Sequence, residues 1–197
     1  MSFPQRTLLA SALLLALLLS ACGGAALEFR GQAVNPPRVA QDFALPDQFG
    51  GTFRLQEQRG HPVLLYFGYI SCPDVCPTTL GTWKMVEKAL GADAEQVRFV
   101  LITVDPDRDT PDRMRVHMNL FSPAFLGLTG TPDELEPIYR AYGIYHQKVY
   151  LEGSQARYSV DHTATAFLVD PAGQLRVTYP YGTPAADIVN DLQLLLK

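Results

Sequence analysis

The run Val63-Leu64-Leu65-Tyr66-Phe67-Gly68-Tyr69 constrains this chain more than any other segment. It holds no charged residue and no polar alternation, so it does not suit a strand with one wet face. It reads instead as a central strand covered on both sides, which implies a sheet with helices packed against it. Directly behind it stand Cys72-Pro73-Asp74-Val75-Cys76-Pro77. Leu80, Trp83, Val86 and Leu90 then recur at helical spacing up to Gly91. That spacing predicts a helix over residues 77–90, stopped by the glycine. Strand, two thiols and helix form one unit, with the thiols at the turn.

The remaining elements follow from local signals. Asp42-Phe43-Ala44-Leu45 and Thr52-Phe53-Arg54-Leu55 alternate as two short strands around the turn Gln48-Phe49-Gly50-Gly51. Residues 97–104 form a second buried strand. Three later helices are predicted to open with threonine followed by proline: Thr110-Pro111, Thr131-Pro132 and Thr183-Pro184. The hydroxyl caps free amides and the proline sits where no amide hydrogen is needed. Glu134 adds a capping box to Thr131. Residues 165–169 and 175–179 are two strands joined by the turn Asp170-Pro171-Ala172-Gly173, and residues 145–160 offer a further small ribbon. The order β-β-β-α-β-α-α-β-β-α is a parallel βαβ unit followed by an antiparallel hairpin and a closing helix. This is a thioredoxin-like α/β arrangement: a central mixed sheet flanked by helices, with an N-terminal β-hairpin extension.

The first residues read differently. Arg6 followed by the apolar run 8–19, too short to span a bilayer comfortably, makes residues 1–21 a secretory signal. Leu19-Ser20-Ala21-Cys22 looks like a bacterial lipobox, in which Cys22 takes a lipid and becomes the mature N-terminus. Ordinary cleavage nearby or an uncleaved anchor are the alternatives. Residues 22–40, rich in Gly, Ala and Pro, read as a flexible tether between that anchor and a folded domain over residues 41–197. The chain is then an exported lipoprotein, held through its lipid at the outer face of the cytoplasmic membrane. The net charge is −4, and no dense basic cluster exists, which argues against a nucleic-acid partner.

With Cys22 assigned to lipid, Cys72 and Cys76 are the remaining thiols. An exported compartment is oxidising, and a bridge over so short a loop stabilises little, so a structural staple explains the pair poorly. A thiol near a helix start sees free amides and the positive end of the helix dipole, both of which favour thiolate. Since proline disfavours helical geometry in the residue before it, Cys76 is expected just outside the helix, in a turn presenting both sulfurs at the surface. Two chemistries remain open. The pair can act as a redox disulfide, or it can grip a soft ion such as Cu(I). Zinc is less suited, for lack of two further ligands. His162 in Val160-Asp161-His162-Thr163 precedes a strand that belongs beside the central one, so its imidazole either completes a Cys-Cys-His set or simply bonds at a strand end.

Three motifs in order resemble the Sco/SenC family over about residues 40–196. They are Tyr66-Phe67-Gly68-Tyr69 leading into Cys72–Pro77, then Val104-Asp105-Pro106-Asp107-Arg108-Asp109-Thr110-Pro111, then Val160-Asp161-His162 followed by Phe167-Leu168-Val169-Asp170-Pro171-Ala172-Gly173. The resemblance implies that Cys72, Cys76 and His162 bind one copper ion per chain, as Cu(I) or Cu(II). It implies a thioredoxin fold, membrane attachment and a role in assembling cytochrome c oxidase, with oxidase subunit II and its CuA site as partner. A copper-donating chaperone or a thioredoxin-like reductant are further candidate partners. Metallochaperone and thiol–disulfide reductase, or redox sensor, are the two resulting readings. In the second, the Cys72/Cys76 pair is a redox-active disulfide.

Other residues are weighed against blander roles. Asp161 could orient His162 and Asp74 could tune the thiols, neither as a ligand. Asp105, Arg108 and Asp109 could shape the copper loop or a partner surface, but read more readily as turn and helix-cap residues. Met114 and Met118 continue an apolar stripe with Phe121 and read as core rather than as a methionine copper site.

Overall fold

A computed structural model describes residues 27–153 and 157–196 of the 197. The readings on residues 1–21, on Cys22 and on the first tether residues lie outside the described residues. No helix among the described residues is long and apolar enough to cross a membrane.

The central sheet has six strands. β1 (Gln32–Val39), β10 (Gln174–Tyr179), β9 (Ala166–Val169), β4 (Val63–Gly68), β5 (Arg98–Thr103) and β6 (Leu126–Leu128) lie side by side in that order. β4 pairs parallel to β5 and antiparallel to β9. All six of its residues are buried, as an unbroken apolar run demands. Its side chains alternate between two layers. Tyr66 meets Trp83 on α1 (Val75–Leu90), and Phe67 meets Tyr139 and Tyr142 on α3 (Pro132–Tyr142). α4 (Ala185–Leu195) joins α1 on the first face, while α2 (Pro111–Asn119) lies against β6. Met114 and Met118 are fully buried there. β2 (Ala44–Pro46) and β3 (Thr52–Arg54) form the N-terminal hairpin. β7 (His146–Tyr150) and β8 (Tyr158–His162) form a separate two-stranded ribbon.

Four expectations change. Residues 32–39 are not tether: β1 pairs antiparallel with β10, with a register shift between Ala33 and Arg38 that accommodates Pro36 and Pro37. Prolines are tolerated at such an irregular edge strand because no further strand needs their amides. α1 starts at Val75 rather than 77, so Cys76 lies inside its first turn, where Pro77 forfeits no helical hydrogen bond. Thr110 and Thr131 cap α2 and α3 as read, the latter with a full capping box. Thr183 does not cap α4. Its hydroxyl donates back to the Pro180 carbonyl at 2.7 Å, and Pro184 takes the cap position. The small ribbon ends at His162, two residues further than the sequence implied.

Candidate metal centre

Three donors meet at the C-terminal end of β4. Cys72 lies in the loop that follows it, Cys76 in the first turn of α1, and His162 at the end of β8. Their ligand atoms lie within 4.8 Å of one another, and His162 Nε2 stands 3.5 Å from Cys76 Sγ. Gly68 permits this closeness. A Cβ at that position would fall 2.9 Å from Cys76 Sγ and 2.8 Å from the Tyr66 ring.

The two thiols are not equivalent, and they are not both at the surface as expected. Cys76 is fully buried and Cys72 is 9 % exposed. The Cys72 sulfur receives hydrogen bonds from the Cys76 thiol and from the backbone amides of Asp74 and Cys76, which together hold its thiol well below the usual range. It acts as the missing cap of α1, since Asp74 makes no side-chain cap of its own. Cys76 moves the other way, pushed up by the hydrogen bond it shares with Cys72, by burial and by the neighbouring Cys72 charge. The opposite shifts favour one thiolate beside one retained proton. The Tyr66 hydroxyl adds a donor 3.7 Å from Cys76 Sγ.

The imidazole is oriented by a backbone carbonyl. His162 Nδ1 lies 3.0 Å from Thr163 O, and a carbonyl only accepts, so Nδ1 carries the proton and Nε2 presents its lone pair to the sulfurs. The rings of Tyr66 and Tyr69 flank it edge-on, at 6.0 and 5.8 Å between centroids. Asp161 does not orient the ring. Strand alternation turns it to the exposed face of β8 while His162 points inward. Asp74 is also exposed and contributes its amide to Cys72 rather than its carboxylate. Tyr66, Tyr69 and the Thr163 carbonyl are the neighbours that sequence reasoning passed over; the inward side of β4 and β8 was the available signal.

Two sulfurs and an imidazole nitrogen make a soft, three-point donor set. It suits copper in either oxidation state better than zinc, which finds no fourth protein ligand here among the described residues.

The SCO1/SenC family profile matches residues 31–197. This chain belongs to the SCO1/SenC family. An SCO2-like protein of Rickettsia conorii is 32 % identical over 137 residues, covering 70 % of this chain and 67 % of the relative. Among solved structures, Bradyrhizobium japonicum ScoI with copper bound is 35 % identical, with a TM-score of 0.73 over 80 % of this chain and 99 % of that one. Apo Sco1 from Thermus thermophilus is 37 % identical, with a TM-score of 0.75 over 87 % of this chain and 99 % of that one. The fold is thus the thioredoxin-like fold of Sco proteins, as the element order implied.

Proposed function

We propose that this Sco protein is a copper metallochaperone that binds one copper ion through Cys72, Cys76 and His162 and delivers it to the CuA site of cytochrome c oxidase subunit II. The observation that carries the reading is the gathering of these three donor atoms within 4.8 Å, in a chain similar over most of its length to a copper-bound relative. The copper is cargo. Acceptor thiols displace Cys72, Cys76 and His162 one at a time, so the ion is never set free. Cys72, charged and the more accessible, is the entry point; Cys76 must give up its proton to become a ligand, so loading weakens as pH falls. The lipid on Cys22 holds the domain at the outer face of the cytoplasmic membrane, beside a membrane-bound acceptor. A copper donor supplies the ion.

The test is Cu(I) and Cu(II) binding, and transfer to apo subunit II, for wild type and His162→Ala. The variant is expected to lose Cu(II) affinity by about tenfold or more and to transfer poorly. Undiminished binding and transfer in the variant refute the reading.

The second reading is a thiol–disulfide reductase acting on the CuA cysteines, favoured by the charged Cys72 beside a protonated Cys76. Cys72 attacks the acceptor disulfide and one acceptor thiolate leaves. Cys76 then attacks Cys72, the second acceptor thiolate leaves, and the pair ends as a disulfide. A thioredoxin-like dithiol returns the two electrons. Reduction of oxidised subunit II by His162→Ala at the wild-type rate, without copper transfer, favours this role.

A further inference from the structure

Two of the three donors belong to the body of the fold, and the third does not. Cys72 and Cys76 sit between β4 and α1, whereas His162 ends a ribbon that pairs with no strand of the central sheet among the described residues. Side chains on one face of that ribbon therefore set where the imidazole lies. On β8 that face carries Tyr158, Val160 and His162, while Asp161 turns outward.

The connection after β5 grips this face. Asp105 is fully buried and forms an ion pair with Arg108 Nε; its other oxygen accepts the Tyr158 hydroxyl at 2.7 Å. Arg108 Nη1 donates to the Tyr158 carbonyl at 3.0 Å, and the guanidinium lies 3.8 Å over the Tyr158 ring. The guanidinium also lies over the Tyr69 ring, 5.7 Å from its centre. Tyr69 in turn accepts the Val160 amide on its hydroxyl at 3.2 Å and packs its ring against His162. From the partner strand, Lys148 pairs with Asp107 of the same connection. The same connection also holds the thiol side, since its Asp109 accepts the Ile70 amide at 3.1 Å, two residues before Cys72.

We infer that Arg108 is a positioning residue for the third ligand: clamped by Asp105 and lying over the rings of Tyr158 and Tyr69, it docks the β7–β8 ribbon so that His162 faces the two thiols. Ligand and clamp are four residues apart on one strand face, so letting go of Tyr158 withdraws the imidazole while both sulfurs stay in place. A site built this way opens by losing its nitrogen first, leaving a dithiolate that an acceptor can strip. The inference rests on the copper reading for its consequence, but the docking is a property of the metal-free protein.

The experiment uses the full-length chain as wild type, Arg108→Ala, His162→Ala and the double variant. Cu(II) affinity is measured by chelator competition, and the His162 ring is followed by nitrogen NMR without metal. Arg108→Ala is expected to weaken Cu(II) by about tenfold or more, with a much smaller effect on Cu(I), which two thiolates hold. The double variant is expected to match His162→Ala within about twofold, because a clamp without its ligand has nothing left to position. In the metal-free protein, Arg108→Ala should replace the single Nδ1–H signature of the ring by an averaged one. Tyr158→Leu, which leaves the Asp105–Arg108 pair intact, serves the same test should Arg108→Ala not fold, and is expected to give the same loss. Independent, multiplying effects in the double variant, or an unchanged ring signature, overturn the inference. A wild type that fails to hold copper refutes the copper reading alone, and the ring signature then decides the clamp.

Discussion

Gly68 shows how tightly single residues bound the site. Its missing side chain is the space in which the Cys76 sulfur and the Tyr66 ring meet, and Leu101 closes the same gap at 3.2 Å from where a Cβ would stand. Gly68→Ala is therefore expected to lower stability by about 1–3 kcal/mol, since β4 and α1 are both fully packed around it. Urea unfolding measures this, and an unchanged midpoint would mean that the layers yield more easily than their burial suggests. At this scale the two thiols were legible as candidate donors because few residues share their chemistry, while the ligand role of His162 was favoured over a strand-end one only through the family resemblance. What orients the donors was not legible. Asp161 looked like the partner of its neighbour His162, but adjacent strand residues face opposite ways, and the partner is a carbonyl, which no side-chain pattern reveals.

Elements were legible where their signals are local. Thr110 and Thr131 announce α2 and α3 because a cap bonds within three residues. β1 carries no such signal. Its prolines and exposed side chains resemble a linker, and it is a strand only because β10 offers it an edge more than a hundred residues away. The connection from β5 to α2 is similar: read as turn chemistry, it holds two distant segments together. Asp109 within it is buried, accepts the Thr103 hydroxyl and the Ile70 amide on one oxygen, and leaves the other oxygen without a partner. Burial raises its carboxyl from 3.8 to about 6. A raised acid binds more protons folded than unfolded, so its contribution is complete below about pH 3.8 and is lost as pH rises through about 6. Asp109→Asn keeps an acceptor oxygen for both donors and removes the charge. It is expected to abolish this descent and to exceed wild type at pH 7 by about 3 kcal/mol at most. Urea stability from pH 4 to pH 7 checks it; parallel profiles for the two proteins would show that Asp109 stays charged at no cost.

The whole molecule is closed by its N-terminal segment. Asp191 on α4 is fully buried and accepts the Arg30 and Gly31 amides at 2.7 and 2.9 Å, together with the Tyr179 hydroxyl at 3.1 Å. One carboxylate thus fastens the chain entering β1, the strand β10 that β1 covers, and the last helix. Gly31 fits there because a Cβ would lie 2.3 Å from the Val177 side chain. Asp191→Ala leaves two amides and a hydroxyl without their acceptor, at a cost of about 1–3 kcal/mol. Since β1 is mostly exposed and packs little of its own surface, that loss is expected to free the whole segment rather than one residue. Amide exchange of residues 30–39 then rises by orders of magnitude, while exchange around Cys76 on α1 changes little, because β10 and β9 lie between β1 and β4, at whose end the donor set sits. Persistent protection of residues 32–39 in the variant would show instead that the pairing with β10 holds β1 without this anchor.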